Sequence, residues 1–506
     1  MRKLWMALAW SAAAAAATAG TLTEQSQVRA RKIVDAAVAA IGGAPALRSI
    51  EVVRLDLQGE TFPRLQMTTP DPPFEPGHFH ETLLLDLKRN RLLLEQKTSG
   101  AGFDGDLTVA IAGGEGTIYD HRAKTATPVP PAQASQQQFI QYYRRLPHLI
   151  LRQALERANS LRYLGDDTFE GRRHHVVTFV MADTQQVALF IDAKTNLVSK
   201  YELVFTDPLR GQQASQIIFG KYANAGALKV PQQWSWRFAG DLVARYQVDV
   251  EFNPAVTERS FEVAAAGYQK VAAVPQTLEE RVEKLADNVI VVHNVADQNY
   301  NTMAVAFRDY VVALEAPGSS EGADKVIAKI KEAFPGKPIR YVALTHHHSD
   351  HIGGLRSFIA EGATVITTRA NRGTVETMAA APQTDRLARA PRKPEFLFVE
   401  NGRRVLTDGE QTIELIDVGP NPHAREMLIA WLPQQRIVFQ GDLFFVPNND
   451  APVGPPQPTT IDFAKKLQAN GLAPQRIASV HGRTATIEEF RSAVDGNPPG
   501  VRSAKQ

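Results

Sequence analysis

The seven residues Thr345-His346-His347-His348-Ser349-Asp350-His351 constrain this chain more than any other stretch. They place four histidines and an aspartate in six consecutive positions, directly after the apolar run Tyr341-Val342-Ala343-Leu344. Such a run reads as a buried strand, and an extended chain sends alternate side chains to one side. His346, His348 and Asp350 are therefore predicted to share a face as the strand ends, with His351 joining them once the chain turns. Imidazoles and a carboxylate at this density suit zinc or a similar borderline metal.

The same arrangement recurs downstream. His423 stands in the turn Gly419-Pro420-Asn421-Pro422-His423 after the strand-like Thr412-Ile413-Glu414-Leu415-Ile416. Asp442 ends Ile437-Val438-Phe439-Gln440-Gly441-Asp442, and His481 ends Ile477-Ala478-Ser479-Val480-His481. Taken singly, His423 or His481 would be a packed or surface histidine, and Asp442 a turn former or helix cap. Four apolar strands that each deliver a metal-ligand side chain at the carboxyl end favour the ligand reading.

In these residues and their order the segment of about 285–492 resembles the metallo-β-lactamase superfamily. The resemblance implies an αβ/βα four-layer sandwich with two metals at one edge. His346, His348 and His423 would hold one metal and Asp350, His351 and His481 the other, with Asp442 bridging them. Zinc, two per chain, is the expected cofactor, with iron and manganese left open. A metal-bound hydroxide would be the nucleophile, oriented by the catalytic Asp350. Glu315-Ala316-Pro317 stands where many members carry aspartate and glycine, so Glu315 would support the site from behind with a longer reach. Ala424-Arg425-Glu426 follows His423 in place of the usual small residue and glycine. Arg425 then reads as a contact to an anionic substrate and Glu426 as a support of the site, or both as a solvated pair. His347 points the opposite way along the strand and is expected behind the site or facing solvent. His293 is expected to be structural, and the six histidines of the first half, among them His78, His80, His174 and His175, form no ligand set.

Composition narrows the class. At 506 residues, two or three domains are expected. Lys plus Arg is 56 against 54 for Asp plus Glu, which gives no field for nucleic acid or an anionic membrane. Arg2 and Lys3, the apolar run Leu4 to Ala17 and the small residues Ala17-Thr18-Ala19 read as a cleaved export signal over 1–19. The run is shorter than the ~20 residues of a spanning helix, so no integral membrane segment is expected after cleavage. The chain has no cysteine, which closes off disulfides, thiolate ligands and a lipid-anchored start. A periplasmic or secreted protein is the expectation.

The overall class reads as α+β and multidomain. Ser26 to Ile41 shows helical spacing and stops at Gly42-Gly43. From Ile50 the pattern changes to short alternating runs separated by turns, interrupted by one helix over Gln138 to Ala158. Residues 22–265 are thus predicted to form an accessory domain, a helix leading into a curved antiparallel sheet. Phe190-Ile191-Asp192-Ala193-Lys194-Thr195-Asn196-Leu197-Val198 and Lys229-Val230-Pro231 resemble the periplasmic lipoprotein-carrier half-barrels. A linker is expected over 266–284, the metal domain over 285–492 and a tail over 493–506.

Together these readings predict an exported dinuclear zinc hydrolase acting on an ester, lactone, thioester or amide-like bond of a small molecule, a hydrophobic one if the first domain presents it. Asp442 at the bridging position and the missing cysteine argue against β-lactams as the main substrate. The competing reading is a carrier for an apolar molecule with a structural metal module, although a structural zinc needs four ligands and not seven. Candidate pocket walls are the loop Gln298-Asn299-Tyr300-Asn301, the region Arg372 to Arg392 and the proline-rich loop Phe444 to Pro458 with Asn448, Asn449 and Asp450.

Overall fold

The computed structural model describes residues 20–207, 209–273, 278–295, 299–449, 451–452 and 454–496. The expected export signal, part of the expected linker (274–277), Gln298, Asp450 and the expected tail from 497 onward lie outside the described residues.

The first helix runs Leu22–Ala40 and begins at a capping box: the Thr21 hydroxyl accepts from the Glu24 amide, and the Glu24 carboxylate accepts from the Thr21 amide. It buries Ala30, Val34, Ala37 and Val38 against an antiparallel sheet. Strands Val52–Thr61, Gly77–Asp86, Arg91–Gly100 and Phe103–Ala112 meander outward from the middle of this sheet. Strands Arg162–Phe169 to Asp241–Phe252 return from the other edge, and Asp241–Phe252 closes on Val52–Thr61 in antiparallel register, with Leu57 opposite Val248. The single helix expected over 138–158 is two helices, Pro131–Arg144 and Pro147–Glu156. Pro147 accounts for the break: it lacks an amide proton and fits only the first turn of a helix.

The expected linker is bonded at both ends. Gln269–Lys270 pairs in parallel with Thr125 and Ala126 of the first sheet, and Arg281–Ala286 pairs with Val289–His293 of the second domain.

That second domain has the four layers expected. A seven-stranded sheet (Arg281–Ala286 to Phe396–Phe398) faces a six-stranded one (Arg403–Thr407 to Ala485–Thr486). Because side chains alternate along a strand, Val289, Val291, Met303 and Val305 pack between the sheets with Leu415, Ala430 and Phe439. Ile290, Val292, Ala304 and Ala306 turn outward under the helices Ser320–Ala333 and Leu355–Glu361. On the other outer face Pro458–Ala469 and Ile487–Val494 cover Ile416, Ile429, Val438 and Ile477. Strands buried on both faces read as continuous apolar runs, as Val311–Leu314 does. Among the described residues no helix is long and apolar enough to cross a membrane.

Candidate metal centre

Four strands of the second domain end at one place. Ile339–Ala343 leads to His346 and His348, Thr412–Asp417 to His423, Ile437–Gln440 to Asp442 and Arg476–Ser479 to His481. Strand alternation does not carry Asp350 there, as the sequence suggested. The strand ends at Ala343, and a helical turn, Ser349–Ile352, delivers Asp350 and His351. This turn separates Asp350 from His346 and His348. Gly353 and Gly354 let it sit tightly on the segment 316–319, because a Cβ on Gly353 would lie 1.8 Å from the Gly318 carbonyl oxygen.

The donors fall into two sets that share one residue: His346, His348, His423 and Asp442, and Asp350, His351, Asp442 and His481. The Asp442 carboxylate divides between them. Its Oδ2 lies 3.1 Å from His423 Nε2 and 3.9 Å from His346 Nε2. Its Oδ1 lies 3.2 Å from both His351 Nε2 and His481 Nε2. Asp350 Oδ2 completes the second set at 3.3 Å from His481 Nε2 and 3.6 Å from His351 Nε2. Tetrahedral zinc with bonds of ~2.0–2.1 Å needs donors about 3.3 Å apart, so the spacing fits. Three buried atoms of the cluster, His348 Nδ1, His351 Nε2 and Asp442 Oδ1, have no hydrogen-bond partner among the described residues. Leaving such atoms unpaired is costly, and a metal at each set would satisfy them.

The electrostatics agree with sites built for cations. Burial opposes charge on His346 and His348, and the neighbouring imidazoles add to it, so both are held well below the usual histidine range. Burial opposes charge on His351 too, but the Asp442 and Asp350 carboxylates overcome it and hold this ring well above that range. His481 is likewise pushed up to about 9: burial works against its charge, but the adjacent Asp350 and Asp442 carboxylates outweigh it. Burial would raise both carboxylates, yet His351 and His481 hold Asp350 below the ordinary range, and His351, His423 and His481 do the same for Asp442. Two anions are thus kept ionised in a buried pocket, where dications would replace the protons on His351 and His481.

Glu315 lies behind the cluster, against Thr345 and His351. It is fully buried at φ +78, and its carboxylate accepts from the Thr345 amide (3.0 Å), the Thr345 hydroxyl (2.5 Å) and His351 Nδ1 (3.1 Å). That last bond leaves His351 Nε2 directed at the carboxylates. His347 does not face solvent. It is buried, and its Nε2 donates to the Met67 carbonyl at 3.0 Å. Burial drives its pKa down to about 4, so it is a neutral packing residue. Arg425 is exposed, and its backbone amide donates to the Thr68 carbonyl; Glu426 is half-buried. His293 is structural: it bonds Asn301 and Glu283, and Asn301 donates to the carbonyls of Ser479 and Gly482 on either side of His481. In the first half, His148 is buried in a helix and His174 in a strand, and both are hydrogen-bonded.

Of the expected walls, Tyr300 packs its ring 5.3 Å from that of His481, and Phe445 lies 6.2 Å from it. In the region 372–392, Asp385 and the carbonyls of Met378 and Ala379 accept from Arg356, and Gln383 donates to the Asp207 carbonyl. Sequence reasoning missed Gln66, Met67, Ala101 and Phe103, four residues of the N-terminal domain that touch the cluster. Nothing local in their sequence marks them.

A family model described as the metallo-beta-lactamase superfamily matches residues 317–475. The match includes six of the clustered donors and stops short of His481. A curated relative, the metallo-beta-lactamase type 2 of Elizabethkingia meningoseptica, is 23% identical over 171 residues, 33% of this chain. The chain spans 63% of that relative's length. Among solved structures, the DIM-1 metallo-beta-lactamase exposed to ceftazidime is 16% identical with a TM-score of 0.33, covering 44% of this chain and 98% of its own. The FIM-1 enzyme of Pseudomonas aeruginosa in its mono-zinc form is 19% identical with a TM-score of 0.34, covering 44% and 96%. The segment 317–475 of this chain belongs to the metallo-β-lactamase superfamily.

Proposed function

We propose that this chain is an exported dinuclear metal-dependent hydrolase, zinc being the best match to its donors, that cleaves an ester, lactone, thioester or amide-like bond. The observation that carries this reading is the Asp442 carboxylate, which turns one oxygen to each of two donor sets. A closed structural site has four ligands and no need of a second set. When bound, a pair of zinc ions would polarise the scissile carbonyl and bring the pKa of a water close to neutrality.

The chain's own residues do the rest. His346, His348 and His423 would hold one ion, Asp350, His351 and His481 the other, and Asp442 both. Asp350 stays ionised and would orient the attacking water by accepting its hydrogen bond. Phe103 and Phe445 flank His423 and His481 and help exclude bulk water. Beside them a slot of about 200 Å³, lined mainly by Phe103, Phe444, Phe445 and prolines of the loop 447–456, with Asp120, Gln457 and Thr460 in its wall, suits a largely apolar part of the substrate. Export rests on the pattern of residues 1–19 alone.

The carrier reading finds less support. The groove of about 950 Å³ on the N-terminal sheet mixes Phe79 and Trp234 with Glu60, His78, His80, Arg172 and Arg245, which is no lining for an apolar cargo. The relatives are β-lactamases by name, but the bridging position here is an aspartate in a chain without cysteine. The test is hydrolysis of a panel of lactone, thioester, phosphodiester and β-lactam substrates, with and without chelator. Chelator-sensitive turnover of one class that His348→Ala abolishes is the expected result. Turnover unaffected by either would overturn the reading.

A further inference from the structure

Two segments of the N-terminal domain reach into the metal centre. The loop 62–76, between strands Val52–Thr61 and Gly77–Asp86, lies against the turn that carries Asp350. Gln66 Nε2 donates to Asp350 Oδ1 at 2.6 Å and reaches Ser349 Oγ at 3.0 Å, while the Ser349 amide donates to the Leu65 carbonyl at 2.8 Å. Leu65 has φ +64, a region a branched apolar residue rarely adopts, so the loop is held in a costly conformation where it meets the site. One residue on, the Met67 carbonyl lies 2.9 Å from His348 Nε2. A carbonyl only accepts, so that nitrogen carries the proton and the lone pair is left on Nδ1, the buried atom without a partner. The turn 101–102 repeats the device. The Ala101 carbonyl accepts from His423 Nδ1 at 2.9 Å and leaves the lone pair on Nε2, which faces Asp442.

We propose that the N-terminal domain is a working part of the metal centre, with Gln66 the positioning residue for Asp350 and the Met67 and Ala101 carbonyls setting the tautomers of His348 and His423. The inference rests on the dinuclear reading above and adds residues far outside the matched segment 317–475. The donors held in this way are divided between the sets: His348 and His423 belong to one, Asp350 to the other. The N-terminal domain therefore acts on each ion separately. Outer partners of this kind typically change metal affinity 10–100-fold when lost.

Two variants of the full chain separate the contributions. Gln66→Ala removes the bond to Asp350. Gly102→Ala moves the turn, because Gly102 has φ +78 and an added Cβ would lie 2.5 Å from Thr459 Cγ2 and 2.9 Å from Pro422 Cβ, next to His423. Zinc is titrated into metal-free protein against a chromophoric chelator, and melting temperatures of the metal-free forms are recorded alongside. Wild type is expected to take up two ions. Gln66→Ala should weaken one of them at least tenfold and leave the other, and Gly102→Ala should weaken the other. Site-selective loss is the signature that a merely structural role would not give. If wild type binds two ions and both variants match it, or both lose the two ions together with their melting temperature, the positioning role is wrong and the dinuclear reading stands. If wild type binds no zinc, both fall.

Discussion

Asp442 and the histidines around it show how single residues set this site's chemistry. A carboxylate at 3.1–3.2 Å from three imidazoles, in a largely buried pocket, cannot stay unbalanced. Without metal, protons on His351 and His481 supply the balance, and His481 keeps its proton up to about pH 9. A ligating imidazole must be neutral. Below pH 9, zinc binding must therefore expel a proton from His481, and apparent affinity should rise with pH until that value and then level off for this group. Calorimetry at pH 7 in buffers of different ionisation enthalpy should show net release of at least one proton per chain. Zero release or uptake would contradict the assignment. His346, Asp442 and His481 stood out in the sequence because each closely follows an apolar run, whereas Asp350 and His351 lie on the helical turn beyond one. His347 was only half legible, since alternation says it leaves the metal face but not that the Met67 carbonyl meets it there.

At the level of elements, the strand ends were readable and the turns between them were less so. Strand alternation put Asp350 beside His346 and His348. The chain instead leaves the strand after Ala343 and winds one turn of helix, so Asp350 goes with His351 and His481. Period-2 reasoning fails there because the run ends before the motif does. Pro147 likewise divided a stretch whose apolar spacing suggested one helix. The helical turn depends on close backbone contact, and Gly353→Ala tests it. A methyl group 1.8 Å from the Gly318 carbonyl forces the turn away from residues 316–319. The expected cost is on the order of 2 kcal/mol or more, read as a lower melting temperature together with weaker zinc binding at the set that contains Asp350 and His351. An unchanged melting temperature and affinity would show that the turn is not anchored by this contact.

On the scale of the whole molecule, the four-layer domain was legible because its buried strands and outer helices each leave a local pattern. The reach of the N-terminal domain was not. Gln66 and Asp350 are 284 residues apart, and Ala101 and His423 are 322 apart. A backbone carbonyl carries no residue identity to read, so nothing in the sequence singles out Met67 or Ala101. The fold joins the two halves through these contacts and through Gln269–Lys270 on the first sheet, so residues of both halves meet at the candidate metal centre. Two ions sharing Asp442 are the core of the proposed chemistry, and the most direct measurement is the zinc content of the full chain and of Asp442→Ala after equilibrium dialysis. Two ions per wild-type chain, with both weakened in Asp442→Ala, is the predicted result; no zinc, or a single ion that Asp442→Ala retains unchanged, would contradict it.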